Sequence, residues 1–235
     1  MTPPTAKPLA IRRLRRADLP ADTVALARFL VGKVVVRELP TGRISGRIVE
    51  TEAYPRRDPA AHHFIGQTPR NRSMFLRRGH AYVYFSYGNH FMLNVSAEIS
   101  GIGGGVLIRA LEPLEGIEHM QIHRKTERIL DLTRGPGRLA AALRIDRTLD
   151  GVDLCAPGLL WLGALTRAIR TRPVPTGLDL AEIPYLRANI SPAVAQAIRL
   201  IGKSRRIGIT RAAHRLLRFY ERGNPFVSGS KSLRS

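Results

Sequence analysis

Apolar and polar positions alternate in two registers along this chain, and the registers separate helices from strands. Between 22 and 32, DTVALARFLVG carries Val24, Leu26, Phe29 and Leu30 at spacings that gather on one helical face. KVVVREL and RISGRIVETEAY follow with strand-like content, and Gly42 sits between them where a hairpin turns. AYVYFSY and HFMLNVSAEI flank Gly88-Asn89, a second hairpin signal. GGVLIRALEP reads as a strand ending at Pro113, LEGIEHMQIHRKTERIL as a helix, and RGPGRLAAALRI as a short helix opened by Gly-Pro-Gly. KSRRIGITRAAHRLLRFY reads as a short strand or turn, then a helix from about Thr210. Consecutive hairpins without regular strand–helix–strand alternation predict a mixed α+β single domain rather than a doubly wound sheet.

Residues 55–80 show neither period, and a loop that long in a compact domain is usually functional. The Pro- and Arg-rich residues 1–20 are expected to be a partly mobile basic segment. Residues 21–228 are expected to form the domain, and 229–235 a flexible polar tail.

Charge changes the picture more than composition does. In 235 residues, Lys+Arg is 38 and Asp+Glu is 18, a net charge of +20. Such a chain attracts polyanions, and nucleic acid is the expected partner. Of the 38 cations 33 are arginine, so genome composition competes as a source of part of the excess. One cysteine, Cys155, excludes a disulfide framework and fits a reducing cytosol. No apolar run reaches the roughly 18 residues of a membrane span, and no apolar stretch after the N-terminal charges marks a signal peptide.

Four constellations could carry chemistry. Strand alternation puts Glu50, Glu52 and Tyr54 on one face and Val49, Thr51 and Ala53 on the other. Two carboxylates beside an arginine-rich loop can be an exposed, ion-paired face or a general base held near a polyanion. The strand Tyr82-Val83-Tyr84-Phe85-Ser86-Tyr87 offers aromatics for a core or for stacking on bases, and Tyr87 stands at a hairpin tip. Four arginines in 70–78, and eight cations against Glu221 in 199–222, form either a solvated face or a phosphate-tracking surface. In the second set Arg211, Arg215, Arg218 and Arg222 recur at helical spacing and predict one stripe. Gly135-Pro136-Gly137-Arg138 before a helix is a plain helix start or a phosphate cradle. His62 and His63 near Asp58 do not have metal-ligand spacing.

GRIVETEAY, DPAAH, TPRN, MF, AYVYFSYGNHFMLNV, VLIRALEPLEG, GPGRL and LRFYERGNPFVS occur in that order. With these motifs in register from about 22 to 228, the chain closely resembles the alkyladenine (3-methyladenine) DNA glycosylase family. The resemblance implies a compact single domain around a curved antiparallel sheet with a protruding β-hairpin. It implies a monofunctional enzyme of base excision repair, acting on double-stranded DNA that contains alkylated or deaminated purines; a monomer is the simplest expectation for its oligomeric state. Expected substrates are 3-methyladenine and, further afield, 7-methylguanine, hypoxanthine and ethenoadenine; no metal or cofactor is expected.

By the same resemblance, Glu52 is the general base that activates a water and Arg109 helps hold that water. Tyr54, His62 and Tyr84 contact the flipped base, and Asn94 disfavours the 2-amino group of normal guanine. Tyr87 fills the gap left in the duplex. Arg70, Arg72, Arg138 and Arg211 are the expected phosphate contacts. Pro55-Arg56-Arg57 departs from the family pattern and shortens the spacing from Tyr54 to His62 by one residue, which leaves His63 as the alternative. Glu50 is expected to be structural rather than a second acid. The alternative to the enzyme is a catalytically silent nucleic-acid-binding module on the same fold, and a metal-dependent nuclease lacks a ligand cluster.

Overall fold

A computed structural model describes residues 9–86, 88–166 and 200–229. Among them run nine strands: β1 (Ile11–Arg13), β2 (Val34–Leu39), β3 (Gly42–Tyr54), β4 (Ala81–Ser86), β5 (His90–Ser96), β6 (Gly105–Glu115), β7 (Leu160–Leu165), β8 (Ile201–Ser204) and β9 (Arg218–Glu221). Three α-helices accompany them: α1 (Thr23–Leu30), α2 (Ile117–Arg124) and α3 (Pro136–Ala142). The strands form one antiparallel sheet in the order β1-β7-β2-β3-β6-β5-β4, with β9 joining β3 and β8. The sheet is open, not a barrel, so the mixed α+β expectation holds. No helix among the described residues is long and apolar enough to cross a membrane.

β3 is the axis. β2 pairs with its first half, Gly42–Arg47, and β9 takes the same edge at Glu50–Glu52. β6 runs along the other edge, with register shifts around Glu50. α1 packs on one face of β3, its Asp22 cap accepting the Ala25 N–H at 2.7 Å. Its buried face is Thr23, Leu26, Ala27 and Leu30, with Val24 and Phe29 at the margins, one step around from the expected face. Thr51 ties strand to helix, its hydroxyl donating to the Ala27 carbonyl at 2.9 Å.

The irregularity around Glu50 corrects the simple alternation. Val49 packs with Ala110, Tyr220 and Phe226, away from the cluster that contains Ile48 and Ala53. A bulge places two successive residues on one face, so Val49 and Glu50 share it and Thr51 returns to the helix side.

The hairpins occur where expected, and the Gly88-Asn89 tip of β4–β5 is exposed. Other boundaries differ. The helix read across LEGIEHMQIHRKTERIL shrinks to α2, because Gly116 turns left-handed at φ 68 before it and Lys125 at φ 50 after it. Within 1–20, expected to be a partly mobile basic segment, the chain packs from Leu9 onward: β1 pairs with β7, while Leu14 and Leu19 enter the core. The largest correction lies at 210–222. Residues 211–214 are turns, and Arg218 lies in β9, so the helix and its arginine stripe do not exist.

Candidate active site

β3 and β6 carry the central charges side by side. Glu50 and Glu52 are both fully buried, and Arg109 of β6 bridges them. Its Nε donates to Glu50 Oε1 at 2.9 Å, and its Nη1 lies 3.3 Å from Glu52 Oε1. A buried charge needs partners, and the two carboxylates find different ones. Glu50 Oε1 also accepts from Arg218 Nε at 2.6 Å and from the Ser228 hydroxyl at 2.9 Å, and Oε2 accepts the Ser228 N–H at 2.7 Å. Glu50 is thus locked inside the protein by two guanidiniums and a serine.

Glu52 is held more lightly. Its Oε1 accepts the Ile207 N–H at 2.8 Å, and its Oε2 accepts the Tyr54 hydroxyl at 2.9 Å. Burial pushes its pKa above the ordinary glutamate range, and the Arg109 charge, the Ile207 N–H and the Tyr54 hydroxyl offset part of that. Three of its partners, Tyr54, Arg109 and Ile207, line a cavity of about 460 Å³, a size suited to a small organic ligand. Glu52 lies directly behind that wall.

Aromatics and one amide complete the cavity. His62, Tyr82, Tyr84 and Asn94 line it, with Met74, Met92, Leu107, Pro136 and residues 207–209. His62 meets Tyr84 edge-on at 4.5 Å between ring centres and is hydrogen-bonded to the Tyr82 hydroxyl at 3.0 Å. Desolvation of the imidazole, reinforced by Arg70 and His63, lowers the His62 pKa below the ordinary histidine value, which favours the neutral ring. Asn94 is buried, its Nδ2 donating to the Tyr82 carbonyl at 3.3 Å.

The loop 55–80 is built, not slack. Asn71 clamps it: Nδ2 donates to the His62 and Gly66 carbonyls at 2.9 and 3.0 Å, while Oδ1 accepts the Thr68 N–H at 2.7 Å. This clamp aims His62 into the cavity. His63 points elsewhere, hydrogen-bonded to the Pro55 carbonyl at 3.1 Å and packed against Phe75, and it lines a separate hollow. Of the two histidines, His62 is the one at the cavity.

The structure therefore brings together Glu52, Arg109, Tyr54, His62, Tyr84 and Asn94, while Tyr87 lies outside the described residues. Arg70, Arg72 and Arg211 are exposed, Arg70 donating to the Phe85 carbonyl at 3.2 Å. Arg138 is half-exposed and paired with Asp131 at 2.7 Å. Two arginines read as part of a phosphate-tracking run are interior instead. Arg218 neutralises Glu50, and Arg206 is fully buried against Asp58 at 2.8 Å. Among the described residues, no three His, Cys, Asp or Glu side chains gather as metal ligands would. Sequence reasoning missed the Ile207 N–H, which has no side-chain signature. It also missed Arg206, whose basic neighbours disguised it.

The sequence model of one family, described as Methylpurine-DNA glycosylase, matches residues 17–225. That span holds every residue of the cavity wall, together with Glu50 and Glu52. The chain belongs to the methylpurine-DNA glycosylase family. Curated relatives agree over most of their length. A Mesorhizobium japonicum protein named "Putative 3-methyladenine DNA glycosylase" is 58% identical, covering 94% of this chain and 92% of the relative. Proteins of the same name from Paraburkholderia phytofirmans and Granulibacter bethesdensis are 45% and 43% identical, over 96% and 89% of this chain and 92% and 84% of theirs. As a methylpurine-DNA glycosylase the chain is a DNA repair hydrolase directed at alkylation damage, and DNA is its substrate.

Proposed function

We propose that this glycosylase extrudes an alkylated purine, 3-methyladenine first among them, into the 460 Å³ cavity and hydrolyses its N-glycosidic bond. A base inside the stack is unreachable, so extrusion comes first, at a cost of a few kcal/mol. Tyr54, His62 and Tyr84 contact the base, and their electron-rich faces suit a cationic purine. In its neutral form His62 adds no repulsion. Asn94, buried in the same wall, is the residue that disfavours an extra exocyclic amino group in this reading.

Glu52 is the general base. It takes a proton from a water that Arg109 helps orient, and the resulting hydroxide adds to the sugar carbon C1′. The C1′–N bond breaks, and its electron pair leaves with the base. A cationic base leaves neutral, so no second acid is required. Positive charge develops on the sugar, and the nearby carboxylate stabilises it. Glu50, saturated by Arg109, Arg218 and Ser228, positions Arg109 rather than donating a proton.

The observation that carries this reading is a fully buried Glu52 whose polar partners Tyr54, Arg109 and Ile207 all line the cavity. The test is Glu52→Gln, assayed for release of 3-methyladenine from methylated duplex and for binding to the same duplex. Release falls by orders of magnitude while binding persists. Undiminished release would remove Glu52 from the chemistry.

A further inference from the structure

Tyr54 carries a buried charge at its back. The Arg206 guanidinium lies 4.6 Å from the centre of the Tyr54 ring. The Arg206 side chain is fully buried and takes no part in the cavity wall, whereas Tyr54 does. The ring therefore stands between the guanidinium and the cavity. Arg206 is fixed there: Nη1 donates to the Ala53 carbonyl at 3.0 Å, and Nη2 donates to Asp58 Oδ1 at 3.1 Å.

Asp58 has more than one partner. Its Oδ2 is also 3.4 Å from Arg215 Nη1, and its Oδ1 accepts the Ala60 N–H at 2.9 Å. Two guanidiniums thus share one buried carboxylate, leaving a net positive charge behind Tyr54.

A cation on one face of an aromatic ring draws π density toward itself and leaves the opposite face poorer. In a site with little water the cation also repels a positive ligand beyond the ring. Both effects weaken stacking of a cationic purine and spare a neutral one. The Asp58 carboxylate acts in the opposite sense. We propose that Arg206 and Asp58 are a specificity-setting pair that acts through Tyr54. Arg206 tempers the cavity's preference for positively charged purines, and Asp58 sustains it. The pair positions and polarises; it does not touch the reacting atoms. This rests on the reading of the cavity as the base pocket.

The two substitutions have opposite expected signs. In a Glu52→Gln background, which keeps the lesion intact, binding is measured to duplexes carrying 7-methylguanine (cationic), hypoxanthine (neutral) or no lesion. Arg206→Gln removes the charge and leaves a shorter, neutral amide in its place. It raises the 7-methylguanine to hypoxanthine affinity ratio by about threefold. Asp58→Asn lowers the same ratio by a similar factor. Equal changes for both lesions, or ratio shifts of the same sign, would mean a structural role alone and overturn the inference. Should Arg206→Gln fail to fold, the Asp58→Asn shift decides it. If the parent bound neither lesion better than undamaged duplex, the base-pocket reading itself would fall, and the inference with it.

Discussion

The Tyr54 hydroxyl donates to Glu52 Oε2 at 2.9 Å from two residues further along the same strand. A strand returns to one face every second residue, so the two groups meet without a loop to place them. Burial and the neighbouring Glu52 push the Tyr54 pKa well above that of an ordinary phenol. Tyr54 therefore stays protonated and remains a donor wherever the enzyme works.

That contact fixes an expected pH dependence. A donor to the ionised carboxylate lowers the pKa of Glu52, while burial raises it further than the donors restore. The active, ionised form is lost as pH falls through this raised value. The acid limb of single-turnover 3-methyladenine release should thus lie above the ordinary glutamate value of 4.5. Tyr54→Phe removes one donor, so the limb should move to still higher pH. A limb that stays in place in Tyr54→Phe would show that the hydroxyl does not tune Glu52.

The two carboxylates should separate in melting experiments. Glu50→Gln leaves Arg109 and Arg218 buried around a neutral amide, which costs about 3 kcal/mol by analogy with broken buried pairs. In a chain of this size that corresponds to a fall of roughly 10 °C in Tm. Glu52→Gln should melt much closer to the parent, because burial already disfavours the charge there. Glu52→Gln melting below Glu50→Gln would reverse the structural and chemical roles assigned here.

Much of this arrangement was legible before the structure. Strands β2 to β6 and helix α1 follow from local patterns, since hairpin partners are close in sequence. Glu52, Tyr54, Tyr84, Asn94 and Arg109 sit in strands whose motifs are long. What escaped is non-local. Arg218 looks like a surface cation until it meets Glu50, 168 residues away, a pairing that neutralises it inside β9. Arg206 reaches Asp58 across 148 residues in the same way. The Ile207 contribution is a backbone N–H, on which residue type is silent. A bulge at Glu50 changes which residue faces which side, and pure alternation has no means of showing it.

Gly137 gives a packing prediction. A Cβ there would lie 2.7 Å from the His90 ring, so α3 sits against the return strand of the β4–β5 hairpin with no space for a methyl. Pro136, next to it, lines the cavity. Gly137→Ala should push helix and hairpin apart and cost about 1–3 kcal/mol, seen as a lower Tm. It should also slow base release more than it weakens binding to undamaged DNA. A variant with parental Tm would show that His90 yields freely.

The basic surface should respond unevenly to salt. Each phosphate neutralised contributes about 0.9 to the slope of log K against log salt, through counterion release. Arg72 is exposed on the loop that shapes the cavity, so Arg72→Ala should reduce that slope by about one. Arg138 was grouped with it in the sequence, but its guanidinium is paired with Asp131 at 2.7 Å, with Arg128 and Arg134 both 3.4 Å from the same carboxylate. DNA would have to compete with Asp131 for it, and its removal leaves that cluster less positive by only one partly neutralised charge. Arg138→Ala should therefore lower the slope by less than Arg72→Ala does. Fluorescence anisotropy with undamaged duplex at graded salt measures both. A larger change for Arg138→Ala would show that the Asp131 pair opens on DNA, and would restore the Gly-Pro-Gly helix start as a principal phosphate contact.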